Sequence, residues 1–477
     1  MMSIFSLFLA LQVAPQPGGL VTPAPGADSV ALSLPQAISL ATRTGDEARA
    51  AAAQVDVTDA QVTIARASGL PQLRVQANQS HVYESARAAA VGQIFNQPNT
   101  YTANAILSQT LFQGGRVMAA SRAASRLRSA TRLDETEVVA QVALDVQRAY
   151  LQAVFARTLA GIQDTAYALA GERLEQVRQF ERAGRASRYD VLRAGVEQAN
   201  LLPAVIQARS DVELAHVELR RLINAPSTQP LKLTTRLDTA AVMRWVAQLR
   251  ADSAPVNRAA IRSAELISDA RRAGVSVARA DLLPTVSISG TFGGQAFPQS
   301  GFPTAAGRIV TVDCPAGSEP GRVCTSQNGG WFRDKSFNLS VGLPIFDGLR
   351  AKGAIDLASA QARLADLELR QTRERVASEA ATARAELDRA EALFEAQGEN
   401  AAQAAEAFNL ARLRYSRGLA TQLEVADAQL ALTIARTNAA RSVYDLYLAA
   451  AGYARALGRQ PHIFDIQGGP RTALPTR

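Results

Sequence analysis

The chain has 477 residues, a net charge of +8, 5% aromatic and 20% charged residues, and a mean hydropathy of −0.03. Alanine fills much of the 47% hydrophobic fraction, which is typical of long packed helices rather than of a thick globular core. Past the N-terminus no apolar run approaches about 18 residues, and this excludes a transmembrane helix from the mature chain. Arginines are dispersed among acidic residues along helical stretches, which argues against a nucleic-acid partner.

Residues 1–27 are predicted to be a signal peptide and processing region. The apolar run at 4–14 is too short to span a bilayer as a helix, and a stretch rich in Pro, Gly and Ala follows it at 15–27. Residues 1–3 lack the usual Lys or Arg, which leaves open a start further upstream or reliance on the free amine. The alternative is a disordered apolar tail.

No motif for catalysis or for metal binding occurs in the sequence. His81, His216 and His462 are scattered, and there is no nucleophile motif, phosphate loop or dinucleotide fingerprint. We therefore expect no enzyme activity, no catalytic residue, no metal and no cofactor. Cys314 and Cys324 lie in a segment rich in Gly, Pro and Ser, which in an exported protein favours a disulfide that closes a small surface loop.

The chain contains an internal duplication. An offset of 234 residues aligns 111–116 (LFQGGR) with 345–350 (IFDGLR), and 184–191 (GRASRYDV) with 418–425 (GLATQLEV). Upstream, 66–71 pairs with 279–284 at an offset of 213, so the second half has an insertion of 234 − 213 = 21 residues. The insertion falls in the segment that carries the cysteines. Each half has the order helix, strand, strand, long helix, return helix.

These repeats set the predicted boundaries. The first repeat is 28–225, with strands at about 71–83 and 101–112, a long helix at 117–182 and a return helix at 188–223. A connector at 226–254 leads to the second repeat at 255–459, with strands at about 284–294 and 336–346, a long helix at 352–416 and a return helix at 421–457. A tail at 460–477 ends the chain.

The strands and helices differ in their apolar periodicity. The strands alternate apolar and small polar residues, as in a strand that crosses a bilayer with lipid on one side and water on the other. An ordinary hairpin packed on a soluble domain is the alternative. The long helices carry apolar residues in sustained 4-3 spacing, which indicates supercoiling against neighbours. Four strands cannot close a barrel, so the predicted fold class is mainly α with a membrane β-barrel shared among chains.

These features resemble the TolC-type outer-membrane efflux protein family. The resemblance spans about Leu32 to Arg459, and it rests on the duplicated order, on the Leu-Pro entries at Pro71 and Pro284, and on the paired G-x-A-[ST]-x-x-[DE]-V elements. It implies a homotrimer in the outer membrane of a Gram-negative bacterium, in contact with outer-membrane lipid. Three chains of four strands would share a barrel of roughly 12 strands above a long periplasmic α-helical coiled-coil barrel.

The resemblance also implies the function of an exit duct. Family members dock to a periplasmic adaptor (membrane fusion) protein and to an inner-membrane transporter of the resistance-nodulation-division or ABC type. The expected cargo is small-molecule drugs or toxic compounds, and a type I protein secretion system is the alternative within the family. Outside the family, the alternative is a soluble coiled-coil scaffold.

The repeated glycine motif predicts a helix hairpin at each tip. Gly184 and Gly418 suit left-handed helix caps, and Asp190 and Glu424 stand three residues after N-cap candidates, as in a capping box. One interpretation is that these residues only turn the chain. The resemblance implies that the hairpins form a periplasmic tip gripped by the adaptor, whose contact residues would be Gly184, Arg185, Ser187, Gly418, Leu419 and Thr421.

A periplasmic gate is implied by the same resemblance. Glu424 and Asp427 match an acidic pair that faces the pore, and threefold symmetry would gather six carboxylates that attract cations and respond to pH. Asp190 and Tyr415 match positions that link neighbouring helices and hold the tip shut. Ala420 stands where a gate Arg is expected, so either fewer links hold the tip or Arg185, Arg188 or Arg417 replaces that Arg.

Overall fold

A computed structural model describes residues 30–84, 86, 98–226, 230–235, 237–251, 258–298, 301–303, 308–312, 323–328 and 330–459. Two helices of 67 residues, Arg116–Arg182 (the first long helix) and Arg350–Ser416 (the second long helix), each measure about 100 Å at 1.5 Å per residue. Each continues into a return helix of 35 residues, Arg188–Leu222 (the first) or Gln422–Ala456 (the second). Corresponding helices start 234 residues apart, which confirms the duplication.

Each long helix and its return helix form an antiparallel hairpin, called the first and the second hairpin below. The buried residues of the first long helix are mostly Ala and Val, and such small side chains let helix axes approach closely. The first long helix also packs against the second return helix, and this contact joins the two hairpins. None of the helices in the described ranges is both long enough and apolar enough to cross a membrane.

Shorter helices flank the hairpins. They are Leu34–Thr44, Asp46–Ala67, Thr239–Ala251 and Ala259–Arg279, the last followed by a 3-10 turn at Ala280–Leu282. The sequence suggested one continuous helix before the first strand, whereas the chain breaks at Gly45. Gly45 has ψ 139°, outside the helical range, and a Cβ there would stand 2.3 Å from the Ala41 carbonyl oxygen.

Eight strands occur in the described residues: β1 Val30–Leu32, β2 Gln72–His81, β3 Asn99–Gln113, β4 Leu231–Leu233, β5 Thr285–Ala296, β6 Arg308–Val312, β7 Cys324–Asn328 and β8 Phe332–Gly342. The main sheet has the order β2-β3-β5-β8 and is antiparallel throughout. The inserted segment of the second half forms its own antiparallel pair, β6 and β7. Strands β1 and β4 pair in parallel beside the helices.

Strand β8 begins and ends four residues earlier than the sequence predicted for the fourth strand. The sequence placed this strand at about 336–346, whereas it starts at Phe332 and ends at Gly342. Pro344 has no N–H to donate to a ladder, so the alternating run LPIF after Gly342 cannot extend the pairing. Ile345 and Phe346 are exposed there instead.

The connector contains regular structure in its described residues. Besides β4 and Thr239–Ala251, it supplies Thr235, whose N–H donates to the Tyr150 hydroxyl over 3.1 Å. Tyr150 is fully buried and donates in turn to the Leu32 carbonyl oxygen over 2.9 Å. One hydroxyl therefore joins the connector, strand β1 and the first long helix.

Candidate functional site

The four-stranded sheet has one apolar and one polar face. Val75, Ala105 and Phe292 are cross-strand neighbours on the apolar face, and the row ends in β8 at Lys335, whose ammonium lies over the Phe292 ring at 4.9 Å. Leu339 and Val341 follow on the same face of β8, opposite Ile288 and Val286. Leu339 is 58% exposed and Phe337 72% exposed in the single chain. An uncovered apolar face of this size needs a lipid or protein partner.

The opposite face of the same sheet is polar. Its cross-strand neighbours include Ser108, Ser289 and Asn338, and Gln76 lies beside Asn104. Gly293 follows Asn104 in this row, and a Cβ at position 293 would clash with the Asn104 side chain at 2.2 Å. Apolar residues on one side and small polar residues on the other are the arrangement of a sheet between lipid and water.

The first hairpin turns through Gly184. This residue has φ +70°, a left-handed conformation that favours glycine. The N–H groups of Gly184 and Arg185 donate to the carbonyl oxygens of Glu181 (2.9 Å) and Phe180 (2.7 Å), which closes the end of the first long helix.

The second hairpin turns in the same way. Gly418 has φ +73°. The N–H groups of Gly418 and Leu419 donate to the backbone carbonyl oxygens of Tyr415 and Arg414, each over 2.9 Å. The repeated glycine therefore has a structural cause that is independent of any partner. The same holds for the duplicated Ser/Thr and Asp/Glu positions.

Both return helices begin with a capping box. The Asp190 N–H donates to Ser187 Oγ over 3.2 Å, and the Ser187 N–H donates to Asp190 Oδ2 over 2.9 Å. The hydrogen bonds from Ser187 hold the pKa of Asp190 below its ordinary value. In the second hairpin the Glu424 N–H donates to Thr421 Oγ1 over 3.3 Å, and the Thr421 N–H donates to Glu424 Oε1 over 3.2 Å.

The acidic pair is divided between two roles. Glu424 caps its helix with one oxygen and receives the Arg414 guanidinium at 3.5 Å on the other. Asp427 lies one turn further, is exposed, and has no ion pair or hydrogen bond within the described ranges. Capping thus accounts for Glu424 but not for Asp427. The pore-facing role of the pair stays a prediction.

Tyr415 lies between the two hairpins. It contacts the apolar cluster of Leu174, Val177 and Val191 in the first hairpin, and that of Phe408 and Val425 in the second. Burial, and then the charge of Asp190, raise the pKa of the Tyr415 hydroxyl. Among the described residues no hydrogen bond joins Tyr415 to Asp190. The structure thus brings these predicted gate residues close together but does not link them directly.

The predicted adaptor contacts are all on the tip surface. Gly184, Arg185, Ser187, Gly418, Leu419 and Thr421 are exposed. Arg185 packs its guanidinium over the Phe180 ring at 4.6 Å, and Arg188 lies 3.8 Å from Glu181, so these two arginines contact their own hairpin. Gln422, in contrast, is buried, and neither of its amide atoms has a partner in the described part of the chain.

Sequence reasoning missed Arg173. Its side chain is buried near the tip and reaches both return helices. The signal was its place directly before Leu174 in the apolar 4-3 series of the first long helix. Dispersed arginines elsewhere in the chain hid it.

The sequence also predicted a disulfide and no metal site. Cys314 lies outside the described residues, as do the side-chain surroundings of Cys324, so their disulfide remains a prediction. Within the described ranges no group of three or more His, Cys, Asp or Glu residues could hold a metal ion.

Comparison with known proteins identifies the fold and its family. A family model described as "Outer membrane efflux protein" matches residues 38–225 and 251–459. Outer membrane efflux protein BepC of Brucella suis biovar 1 (strain 1330) is 23% identical over 414 residues, which cover 85% of this chain and 81% of BepC.

The same fold occurs in solved structures of other proteins. A membrane protein from Pseudomonas aeruginosa superposes with a TM-score of 0.70 at 22% identity, covering 93% of this chain and 99% of that one. The open state of the Neisseria gonorrhoeae MtrE outer membrane channel gives a TM-score of 0.67 at 22% identity, covering 90% and 89%. The long helical hairpins and the four-stranded sheet are therefore the fold of outer-membrane channels.

Proposed function

The chain belongs to the outer membrane efflux protein family, and we propose that three copies form an exit duct for small-molecule drugs or toxic compounds. The duct lies in the outer membrane of a Gram-negative bacterium, with its helical hairpins in the periplasm. A periplasmic adaptor and an inner-membrane pump deliver the cargo. The family and the similar protein BepC are both described as outer membrane efflux proteins, and this supports the cargo class.

The observation that carries the proposal is the two-faced sheet with two open edges. Strands β2 and β8 are the outer strands of the sheet and have no partner there within the described chain. An open edge in lipid leaves N–H and C=O groups without partners, which costs several kcal/mol for each group. Because the sheet alternates direction, β8 of one copy fits antiparallel against β2 of the next. Three copies of four strands give roughly 12, enough to close a barrel.

The tip is proposed to serve as gate and docking surface. The exposed turns around Gly184 and Gly418 contact the adaptor. Glu424 and Asp427 line the closed pore, and Asp190 and Tyr415 hold the hairpins together. Support comes from their shared place at the ends of the two hairpins and from the exposure of Asp427.

The trimer is tested by native mass spectrometry of the detergent-extracted protein, in which we expect three chains. A stable monomer that keeps its β-sheet signal would contradict the proposal. Cargo is tested by deleting the gene and measuring drug susceptibility and the secreted proteins. Efflux is supported if the deletion increases drug susceptibility and a plasmid copy of the gene restores resistance. Unchanged susceptibility with loss of a secreted protein would favour type I secretion.

A further inference from the structure

Arg173 connects three helices near the tip. It lies on the first long helix and is 8% exposed. Its guanidinium forms an ion pair with Glu197 of the first return helix, and its Nη1 donates over 3.3 Å to Gln429 Oε1 of the second return helix. Glu197 is also held by Arg193, at 3.2 Å within its own helix. The guanidinium therefore pairs with Glu197 inside the first hairpin and donates a hydrogen bond to Gln429 of the second hairpin.

Gln429 is placed to receive this bond in one orientation only. It is 6% exposed, and its Nε2 donates over 2.8 Å to the Ala166 carbonyl oxygen on the first long helix. The amide nitrogen thus meets a carbonyl and the amide oxygen meets the guanidinium. If the amide were rotated by half a turn, its NH2 group would face the Arg173 guanidinium and its oxygen would face the Ala166 carbonyl oxygen, and both hydrogen bonds would be lost. Two directed hydrogen bonds therefore join the second return helix to the first long helix.

The second repeat has no equivalent of this network. At the offset of 234 residues, Arg173 corresponds to Ala407, Glu197 to Ala431 and Gln429 to Gly195. None of these three has a polar side chain. The network is thus specific to one junction, where the first long helix meets the second return helix, rather than a general feature of the repeated hairpin.

We propose that Arg173 is the positioning residue that keeps the periplasmic tip closed, and that opening breaks its bond to Gln429 while the Arg173–Glu197 pair persists. The inference rests on the proposed function as a duct. Gln429 follows Asp427 by two residues on the same helix, so releasing Gln429 frees the segment that carries the acidic pair. Glu197 moves with Arg173 because both belong to the first hairpin.

The test compares single-channel recordings of three variants in planar bilayers. Gln429→Met removes the interhairpin bonds, keeps the side-chain length and leaves Arg173 paired with Glu197. Arg173→Met removes the guanidinium, and Glu197 keeps Arg193. The matched control is Arg178→Met, since the one ion pair that Arg178 forms within the described ranges is with Glu175 of its own helix, at 3.5 Å. We expect about a tenfold higher open probability in the first two variants, the effect of losing one hydrogen bond to a charged group, and wild-type behaviour in the control.

The double variant Arg173→Met/Gln429→Met should open no more often than Gln429→Met alone, because Gln429→Met already removes the bond to Arg173 as well as the bond to Ala166. An open probability of Gln429→Met within twofold of wild type overturns the proposal, even if its melting temperature falls. So does an equal increase in Arg178→Met. If Arg173→Met fails to assemble, Gln429→Met decides alone. If the wild-type protein forms no channel at all, the proposed duct fails instead.

Discussion

The Arg258 guanidinium donates two parallel hydrogen bonds to the Glu137 carboxylate, from Nε over 3.1 Å and from Nη2 over 2.8 Å. Arg258 directly precedes the helix Ala259–Arg279 and is 5% exposed. Its Nη1 donates over 2.9 Å to Glu379 of the second long helix, and the Ala260 N–H donates to Glu137 over 3.1 Å. This cluster joins both long helices where the second repeat begins.

We predict that Arg258→Met lowers the free energy of unfolding by about 3 kcal/mol, because the Glu137 side chain, 19% exposed, loses the cation that is hydrogen-bonded to it. The control is Arg250→Met. Arg250 of the connector likewise pairs with the second long helix, through Asp388 and Glu391, but 40% of its side chain is exposed. Its loss should cost under about 1 kcal/mol. Thermal unfolding of the purified protein measures both, and equal losses would contradict the prediction.

The same pair predicts a dependence on pH. Burial alone would raise the pKa of Glu137, but the hydrogen bonds and charge of Arg258 and the Ala260 N–H hold it below its ordinary value of 4.5. Ionised Glu137 therefore stabilises the fold above pH 4.5, and this contribution is lost as the pH falls through the folded-state pKa. Melting curves of wild type and Arg258→Met should converge as the solution is acidified. A constant gap between them would refute the prediction.

The two-faced sheet predicts opposite responses at adjacent positions of β8. Leu339→Arg places a charge on the apolar face and should destabilise the inserted barrel by about 2–4 kcal/mol if the residue lies near the bilayer midplane. Asn338→Arg places the same charge on the polar face and should be tolerated. Heat-modifiable migration of the folded trimer on gels compares the two. Equal loss of folded trimer in both variants would mean that the faces are not divided between lipid and water.

The helical part of the fold could be predicted from the sequence almost to the residue. Long helices at 117–182 and 352–416 were expected, and they begin at Arg116 and Arg350. Heptad spacing persists over many turns, and a left-handed glycine ends each helix, so both signals are local. The last strand was displaced by four residues because alternation continues past Gly342 in the sequence, while Pro344 ends the pairing.

The tip shows where local signals stop. The capping boxes of Ser187 and Thr421 are local in sequence and were expected. The bond between Arg173 and Gln429 joins residues 256 apart and depends on how one hairpin rotates against the other. The apolar periodicity of each helix does not determine how the two hairpins rotate against each other. Ala420, where the resemblance implies a gate Arg, was visible in the sequence, but Arg173 was not among the arginines considered in its place.

A disulfide between Cys314 and Cys324 remains a prediction for the inserted loop of the second half. Closing so short a loop constrains the unfolded chain by about 2–3 kcal/mol in the chain-entropy model. Thiol labelling of the exported, unreduced protein should find no reactive cysteine, and labelling after reduction should find two. Replacing both residues by Ser should leave the trimer intact, because the main sheet pairs without this segment. Two reactive thiols before reduction would refute the bond.

The acidic pair at the tip separates a capping role from a gating role. Glu424 completes the capping box of the second return helix and lies 3.5 Å from Arg414, so Glu424→Ala should lower stability by about 1 kcal/mol whatever the pore does. Asp427 has no capping contact. If it lines the closed pore, Asp427→Ala should leave the melting temperature nearly unchanged and weaken block by divalent cations added from the periplasmic side.

Single-channel recordings with increasing Mg²⁺ measure this block, and thermal unfolding measures the cap. Asp211 offers a matched control, since it is a carboxylate on the first return helix that accepts from Gln207 over 2.8 Å within that helix. Asp211→Ala should change neither cation block nor gating, because it lies about six turns from the tip. Loss of block in Asp427→Ala but not in Asp211→Ala assigns the carboxylate ring to the gate. Unchanged block in the double variant Glu424→Ala/Asp427→Ala would remove the acidic pair from the pore and leave Glu424 with its cap alone.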